Sequence, residues 1–89
     1  MKAQLINTYG DVKSVKPNNS KTFSLKELQE YVDGYIQIVK TRDDRIMIMN
    51  EEGKNNNLPY NEIATSLYIY GKHDVVVGDV LVMDKELIS

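Results

Sequence analysis

The alternation of apolar and polar residues along the chain predicts a small fold built from both strands and helices. Short apolar or alternating runs between turn residues are typical of strands. Four such runs lie at residues 2–7, 11–16, 35–40 and 45–50. An apolar residue at every third or fourth position predicts helices at residues 25–33 and 62–70. With a last strand near the end of the chain, the order is β-β-α-β-β-α-β, an α+β domain with a mostly antiparallel sheet of four or five strands.

The first helix has the clearest boundaries. Ser24 and Glu27 have the spacing of a capping box, in which each side chain accepts a hydrogen bond from the other residue's backbone N–H. Gly34 suits the end of this helix. The residues expected to point toward the core are Leu25, Leu28, Tyr31 and Val32.

The second helix is predicted to begin after the cap residue Asn61 and to stop at Gly71. Its inward residues are predicted to be Ile63, Ala64, Leu67 and Tyr68. Two apolar runs then flank Gly78, where two interpretations are open. Either one strand continues through a bulge, or the chain turns and the last strand starts at Asp79, and we favour the turn.

The strand at residues 45–50 is apolar on both of its faces. Isoleucines alternate with methionines, and a strand of this kind is normally covered on both sides. Because two short helices do not easily cover both faces of a sheet, we expect the helices to bury one face and a second subunit to cover part of the other. A partly exposed methionine pair is an equally good interpretation. The predicted surface for a homo-oligomer or a partner consists of Met47, Met49, Tyr68 and Ile69.

Composition limits the classes of function. The 89 residues are enough for one small domain, at residues 1–89. The absence of cysteine and the single histidine exclude disulfides, thiolate sites and a multi-histidine metal site, and we expect no cofactor. No run approaches the ~20 apolar residues of a membrane span, and no secretion signal is recognisable, so we expect a cytoplasmic protein. A net charge of −2 argues against nonspecific binding to DNA or RNA.

Short stretches along nearly the whole chain carry a resemblance to a known family. They lie at residues 5–7, 25–28, 34–36, 50–53, 58–61, 64–65 and 77–80. In their order and spacing they resemble domain-of-unknown-function family 3846, small proteins found in phages, prophages and mobile elements. The resemblance implies an accessory protein of such elements but no particular activity. Small phage proteins of this kind often antagonise host defence, either by sequestering nucleotide signals or by binding a defence protein.

No catalytic constellation is recognisable in the sequence. The one histidine, His73, is followed directly by the carboxylate residue Asp74. Because neighbouring residues in a strand point to opposite faces, a proton relay between these two side chains is not expected. The chain has no cysteine nucleophile and no serine in a strand–turn–helix elbow. We therefore expect a non-enzymatic protein with no catalytic residues and no metal.

A site for a nucleotide-like ligand is the leading hypothesis. Such a ligand needs cations or N–H groups for phosphate and an aromatic ring for the base. Arginines, tyrosines, asparagines and a threonine in adjoining loops offer these groups, although each has a structural alternative and Asn61 is more simply a cap. The candidate ligand-binding residues are Tyr35, Arg42, Arg45, Asn50, Tyr60, Asn61 and Thr65.

The predicted function follows from this site and from the resemblance. The leading hypothesis is sequestration of a nucleotide-like defence signal near residues 35–50 and the start of the second helix. The alternative is a protein-binding inhibitor of a host or defence factor that acts through the methionine and tyrosine surface.

Overall fold

The computed structural model describes residues 3–88, and within them the predicted order of elements is confirmed. The strands are β1 (Ala3–Ile6), β2 (Val12–Val15), β3 (Ile36–Lys40), β4 (Ile46–Asn50) and β5 (Val80–Met83). The helices are α1 (Leu25–Val32) and α2 (Glu62–Leu67), followed by a 3-10 helix at Lys85–Leu87. Lys2, which belongs to the first predicted strand, lies outside the described residues.

All five strands form one antiparallel sheet in the order β2-β1-β5-β4-β3. The last strand of the chain, β5, lies in the centre, where Leu81 pairs with Leu5 of β1 and with Ile48 of β4. All four β5 residues are buried, as expected for a central strand covered on both faces. The predicted turn at Gly78 is confirmed, since β5 begins after it and Gly78 adopts a positive φ of 77°.

The two helices lie on opposite faces of the sheet. On one face, Leu28 and Val32 of α1 pack with Ile48 and Leu81 in a cluster that we call the α1 core. On the other face, Ala64 of α2 joins a second cluster, the α2 core, whose buried members include Ile6, Met47, Val76, Val80 and Val82. Each face of the sheet is therefore covered by a helix of the same chain.

This arrangement corrects the predicted role of the methionines. Met47 is fully buried in the α2 core, and Met49 packs against the same cluster with part of its surface exposed. The expectation that both helices share one face is wrong, because the connection between β4 and β5 carries α2 and Val76 across the second face. Met47 is therefore unavailable to a partner, and the reason for expecting a second subunit on this face is removed.

The start of α1 is as predicted, and one of its inward residues is not. The Ser24 hydroxyl accepts from the Glu27 N–H at 3.2 Å, and the Glu27 carboxylate accepts from the Ser24 N–H at 3.1 Å. Leu25, however, is 58% exposed, because the fully buried Phe23 just before the helix fills this end of the α1 core. The left-handed residue that ends the helix is Asp33, with φ 60°, rather than Gly34.

Helix α2 ends earlier than its apolar pattern predicts. The chain leaves the helix after Leu67, and extended Tyr68 bridges to Thr41 beside β3. The Arg42 N–H donates to Leu67 O at 2.9 Å and the Ile69 N–H to Lys40 O at 3.1 Å, so pairing with the sheet replaces the last helical turn. Gly71 is not the helix stop but a point of close approach, since a Cβ there would lie 2.0 Å from Thr65 O.

The buried side chain of Asn61 fastens α2 to the sheet. Its Nδ2 donates to Ile6 O at the end of β1 and to Gly78 O before β5, at 3.0 and 2.9 Å. Its Oδ1 accepts from the Ala64 N–H at 3.0 Å and so caps the helix, as predicted. The Thr65 hydroxyl donates to Asn61 O and accepts from the Val76 N–H, both at 2.8 Å.

We predict that Asn61→Asp destabilises the protein strongly and in a pH-dependent way. The new carboxylate oxygen would face the carbonyls of Ile6 and Gly78 where an amide now donates, at a cost of roughly 3 kcal/mol or more near neutral pH. The protonated carboxyl has one donor for two carbonyls, so part of the cost is present at every pH. Burial raises the folded-state pKa of this carboxyl, so the rest of the cost is absent below its ordinary pKa, grows as the pH rises above it and levels off above the folded-state pKa. Urea unfolding at several pH values measures the effect.

The matched control is Asn56→Asp, which introduces the same charge at an exposed position of the loop after β4. We expect this variant to stay close to the native stability throughout. An equal and pH-independent loss in both variants would contradict the role assigned to Asn61.

Candidate functional site

A pocket of about 330 Å³ opens beside the β3–β4 hairpin. It lies between the end of that hairpin, the loop at residues 51–57, Tyr68 and the segment before β5. We call it the hairpin pocket. Its lining residues are Gln37, Met49, Asn50, Glu51, Lys54, Asn55, Tyr68, Asp74, Val75 and Val77.

The hairpin pocket combines an apolar part with polar groups. Met49 and Tyr68 are partly buried against the α2 core, and the Tyr68 ring meets that of Tyr70 edge to face at 5.8 Å between centroids. Gln37 and Asn55 contribute exposed amide groups, which can both donate and accept hydrogen bonds. Binding sites for small organic molecules commonly combine an apolar wall with a few such polar groups.

An ion pair between Lys54 and Asp74 joins two sides of the hairpin pocket. The hydrogen bond from the Lys54 ammonium is the main cause that holds the pKa of Asp74 below its ordinary value, followed by one from the Val75 N–H at 2.8 Å. Both side chains are about half exposed, so solvent weakens the pair and a ligand can compete for either partner. With Glu51, the lining carries two carboxylates and one ammonium, an excess of one negative charge.

Three of the predicted ligand-binding residues already use their side chains in hydrogen bonds within the fold. The hydrogen bonds of Asn61 and Thr65 fasten α2, as described above. In Asn50, Nδ2 donates to Val32 O at 3.0 Å and Oδ1 accepts from the Glu52 N–H at 2.8 Å, so this side chain ties β4 to the end of α1. Of the seven predicted residues, Asn50 alone is among those that line the hairpin pocket.

The two predicted arginines lie at the opposite end of the hairpin. Arg45 and Asn50 are separated by the length of β4, roughly 17 Å for an extended strand. Arg45 donates to the Asp43 carboxylate from Nε at 2.9 Å and from Nη2 at 2.6 Å, and from Nη1 to Gln4 Oε1 at 3.1 Å. Arg42 is exposed on the same turn. The two arginines therefore lie away from the hairpin pocket.

The two predicted tyrosines are exposed and do not meet the arginines either. Tyr35 is 70% exposed just before β3, and Tyr60 is 51% exposed where it bridges to Val77. The predicted combination of aromatic ring and arginine pair is thus not assembled at one place. Among the residues predicted as a partner surface, Tyr68 and Met49 line the hairpin pocket, while Ile69 is exposed.

Sequence reasoning missed most of the residues that line the hairpin pocket. Gln37 alternates with apolar neighbours and resembles any exposed strand residue, while Lys54 and Asp74 lie 20 positions apart in loops. No spacing rule connects such positions. The one available signal is the polar loop at residues 51–57. The sequence predicts this loop but does not show which part of the sheet it faces.

Among residues 3–88, no group of three or more His, Asp or Glu side chains is placed to hold a metal ion. No helix within the same residues is long and apolar enough to cross a membrane.

The fold and the hairpin pocket define a small α+β protein with one five-stranded antiparallel sheet and a helix on each face. Residues 1–87 match the family described as Domain of unknown function (DUF3846), so the chain belongs to that family. No curated protein and no solved structure matches the chain significantly.

We predict that Arg45 controls the titration of Asp43. Hydrogen bonds from Arg45 and then from the Thr41 hydroxyl lower the pKa of Asp43 to about 2. Because the folded-state pKa is depressed, this carboxylate stabilises the fold above its ordinary pKa of 3.8, and the contribution is lost as the pH falls toward 2. In Arg45→Ala the pKa of Asp43 should rise toward its ordinary value, as measured by an NMR titration of the carboxyl carbon.

Arg42→Ala is the matched control from the same turn, and it should leave the titration of Asp43 unchanged. An equal rise in both variants, or in neither, would contradict a specific pairing between Arg45 and Asp43.

Proposed function

We propose that this protein is a non-enzymatic binding protein whose hairpin pocket holds one nucleoside-sized part of a nucleotide-like ligand. The observation that carries the proposal is the composition of the pocket. Apolar surface from Met49, Tyr68 and Val75 faces the same space as the amides of Gln37 and Asn55. The ring of a base can pack against the apolar surface, while the polar edge of the base forms hydrogen bonds with the two amides.

The volume of the pocket limits the bound part of the ligand. About 330 Å³ is at the low end of the ~300–1,000 Å³ range for pockets that bury small molecules. The pocket therefore suits one base with its sugar, and a larger ligand would extend beyond the opening.

The charge of the lining limits how anionic the ligand can be. Lys54 is the cation of the lining, and it is opposed by Glu51 and Asp74. A triphosphate would meet two carboxylates and one ammonium, which disfavours it. A cyclic phosphodiester carries one negative charge per phosphate, and Lys54 can bind it after leaving Asp74.

The wider role that we propose is that of an accessory protein of phages and mobile elements. In the host cytoplasm it would lower the free concentration of a nucleotide-like signal used in defence. The support for this role is the resemblance described above together with the composition of the pocket.

A second candidate function is inhibition of a host or defence protein by direct binding. The observation in its favour is the exposed apolar surface of Ile69, Tyr70 and Val75, on a segment that follows α2. Exposed apolar side chains close together are common at protein interfaces. Met47 takes no part in this surface because it is buried.

We predict that cyclic nucleotides with one negative charge per phosphate raise the melting temperature, while ATP does not. The probes are cyclic dinucleotides, cyclic ADP-ribose isomers, AMP and ATP, each in excess in a thermal-shift assay. A ligand present at ~100 times its dissociation constant adds about 2.7 kcal/mol of stability, which is readily detected in a protein this small. No shift with any probe would overturn the nucleotide proposal and favour the protein-binding alternative.

Variants of the ion pair then test the site by calorimetry with the probe that gives a shift. Lys54→Ala should weaken binding by roughly 10-fold, because a charge-assisted hydrogen bond is lost. Asp74→Asn should strengthen it, because Lys54 is freed and one negative charge is removed. Lys72→Ala, which removes an exposed lysine from the neighbouring turn, is the control and should have little effect. Equal effects of the two lysine variants would place the ligand elsewhere.

A further inference from the structure

One end of the sheet collects negative charge from separate parts of the chain. The ends of β1 and β4 meet the starts of β2, β3 and β5 there. The connecting segments at this end, which we call the acidic end, are residues 7–11, 33–35, 51–61 and 77–79. Their charged residues are Asp11, Asp33, Glu51, Glu52, Asp79 and Lys54. Because the one ammonium among them is paired with Asp74, the acidic end attracts cations.

The opposite end of the sheet has no such excess of negative charge. Its segments are residues 16–24, 41–45 and 84–88, and they carry five cations and four carboxylates. Arg45 and Asp43 form an ion pair among these. The charge of the chain is therefore polarised along the strands, and a positively charged partner is drawn toward the acidic end.

A groove of about 210 Å³ opens at the acidic end, between the end of α1, the loop before α2 and the turn before β5. We call it the end groove. The Gly78 N–H donates to Pro59 O at 2.8 Å, which holds two of its walls together. Its apolar lining consists of Tyr31, Val32, Leu58 and Pro59. A side chain with a flat or aliphatic surface can pack against this lining.

Two carboxylates line the same groove and are available to a cation. Asp33, at the end of α1, and Asp79, just before β5, are both exposed. Among residues 3–88, no lysine, arginine or histidine forms an ion pair with either of them. The Thr8 N–H donates to Asp79 Oδ1 at 3.2 Å and so fixes this carboxylate at the groove. A cation that enters the end groove can therefore bind carboxylates from two of its walls.

Three exposed tyrosines lie at the same end of the sheet. Tyr9 is 91% exposed in the turn after β1, Tyr35 is 70% exposed before β3, and Tyr60 is 51% exposed before α2. Tyrosine is enriched at protein interfaces, and its ring attracts cations over its face. The acidic end thus combines exposed aromatic rings, carboxylates and a groove, which together fit a positively charged protein segment.

We propose that the acidic end binds an arginine-bearing segment of another protein, with one guanidinium group in the end groove. A guanidinium is planar, stacks on aromatic rings and donates hydrogen bonds to carboxylates in a fork. Tyr31 supplies the ring, and Asp33 and Asp79 supply the acceptors. A lysine ammonium is compact and strongly hydrated, so it uses the apolar lining less well.

This surface goes beyond the proposed ligand site and does not rest on it. The end groove and the hairpin pocket share no lining residue. The end groove also excludes the exposed apolar side chains of Ile69, Tyr70 and Val75, on which the second candidate function depends. A failure of the nucleotide proposal would therefore leave this one standing, and the reverse also holds.

An NMR titration of the labelled full chain with a blocked pentapeptide of alternating glycine and arginine tests the proposal. The amides of Thr8, Asp33 and Asp79 should shift progressively. The same peptide with citrulline in place of arginine keeps the planar group and loses the charge, and it should cause no shift. The peptide with lysine in place of arginine should bind several-fold more weakly.

Asp33→Asn tests the groove without disturbing the backbone, because asparagine also tolerates the left-handed conformation of this residue, φ 60°. A carboxylate at the C-terminal end of a helix opposes the helix dipole, so the variant should melt no lower than the native chain. Its affinity for the arginine peptide should fall roughly 10-fold, because a charge-assisted hydrogen bond is lost.

Asp44→Asn is the matched control, since Asp44 is an exposed aspartate with φ 67° at the opposite end of the sheet. It should bind the arginine peptide like the native chain. Glu52→Gln, which removes a charge from the acidic end outside the groove, should weaken binding far less than Asp33→Asn.

Four results would each overturn the proposal. They are the absence of shifts with the arginine peptide, equal shifts with the citrulline peptide, equal affinity for the lysine peptide, and an affinity in Asp33→Asn that matches either control variant.

Discussion

The hydrogen bonds of the buried Asn61 side chain hold the second layer of this protein in place. One amide group reaches the end of β1, the approach to β5 and the first turn of α2. A helix of six residues has little intrinsic stability in water, so α2 depends on this attachment and on its packing. Without it, Met47 and the rest of the α2 core would lose their cover.

The same constraint determines where open space remains on this face of the sheet. Because α2 and the segment after it cover the centre of the α2 face, the space that remains open lies at the margin, beside β3 and the loop at residues 51–57. Polar side chains near the centre, such as those of Asn61 and Thr65, already form hydrogen bonds within the fold. Side chains at the margin, such as Gln37 and Asn55, keep their polar groups exposed.

The sequence predicted local features well and long-range ones poorly. The capping box at Ser24 and the order of elements depend on neighbouring residues, and both are confirmed. The early end of α2 was missed because Tyr68 pairs with Thr41, a contact between distant positions that outweighs helical periodicity. The burial of Met47 was missed for a similar reason, since strand alternation does not reveal which element covers a face. An asparagine in a loop likewise looks the same whether it caps a helix or faces a ligand.

We propose that the hairpin pocket, and not the turn with Arg42 and Arg45, is the ligand site. The most direct measurement is an amide NMR spectrum of the labelled protein titrated with cyclic dinucleotides. We predict that the amides of Gln37, Asn55 and Val75 shift progressively. Shifts concentrated in the turn at residues 41–45, with the pocket amides unchanged, would contradict the account.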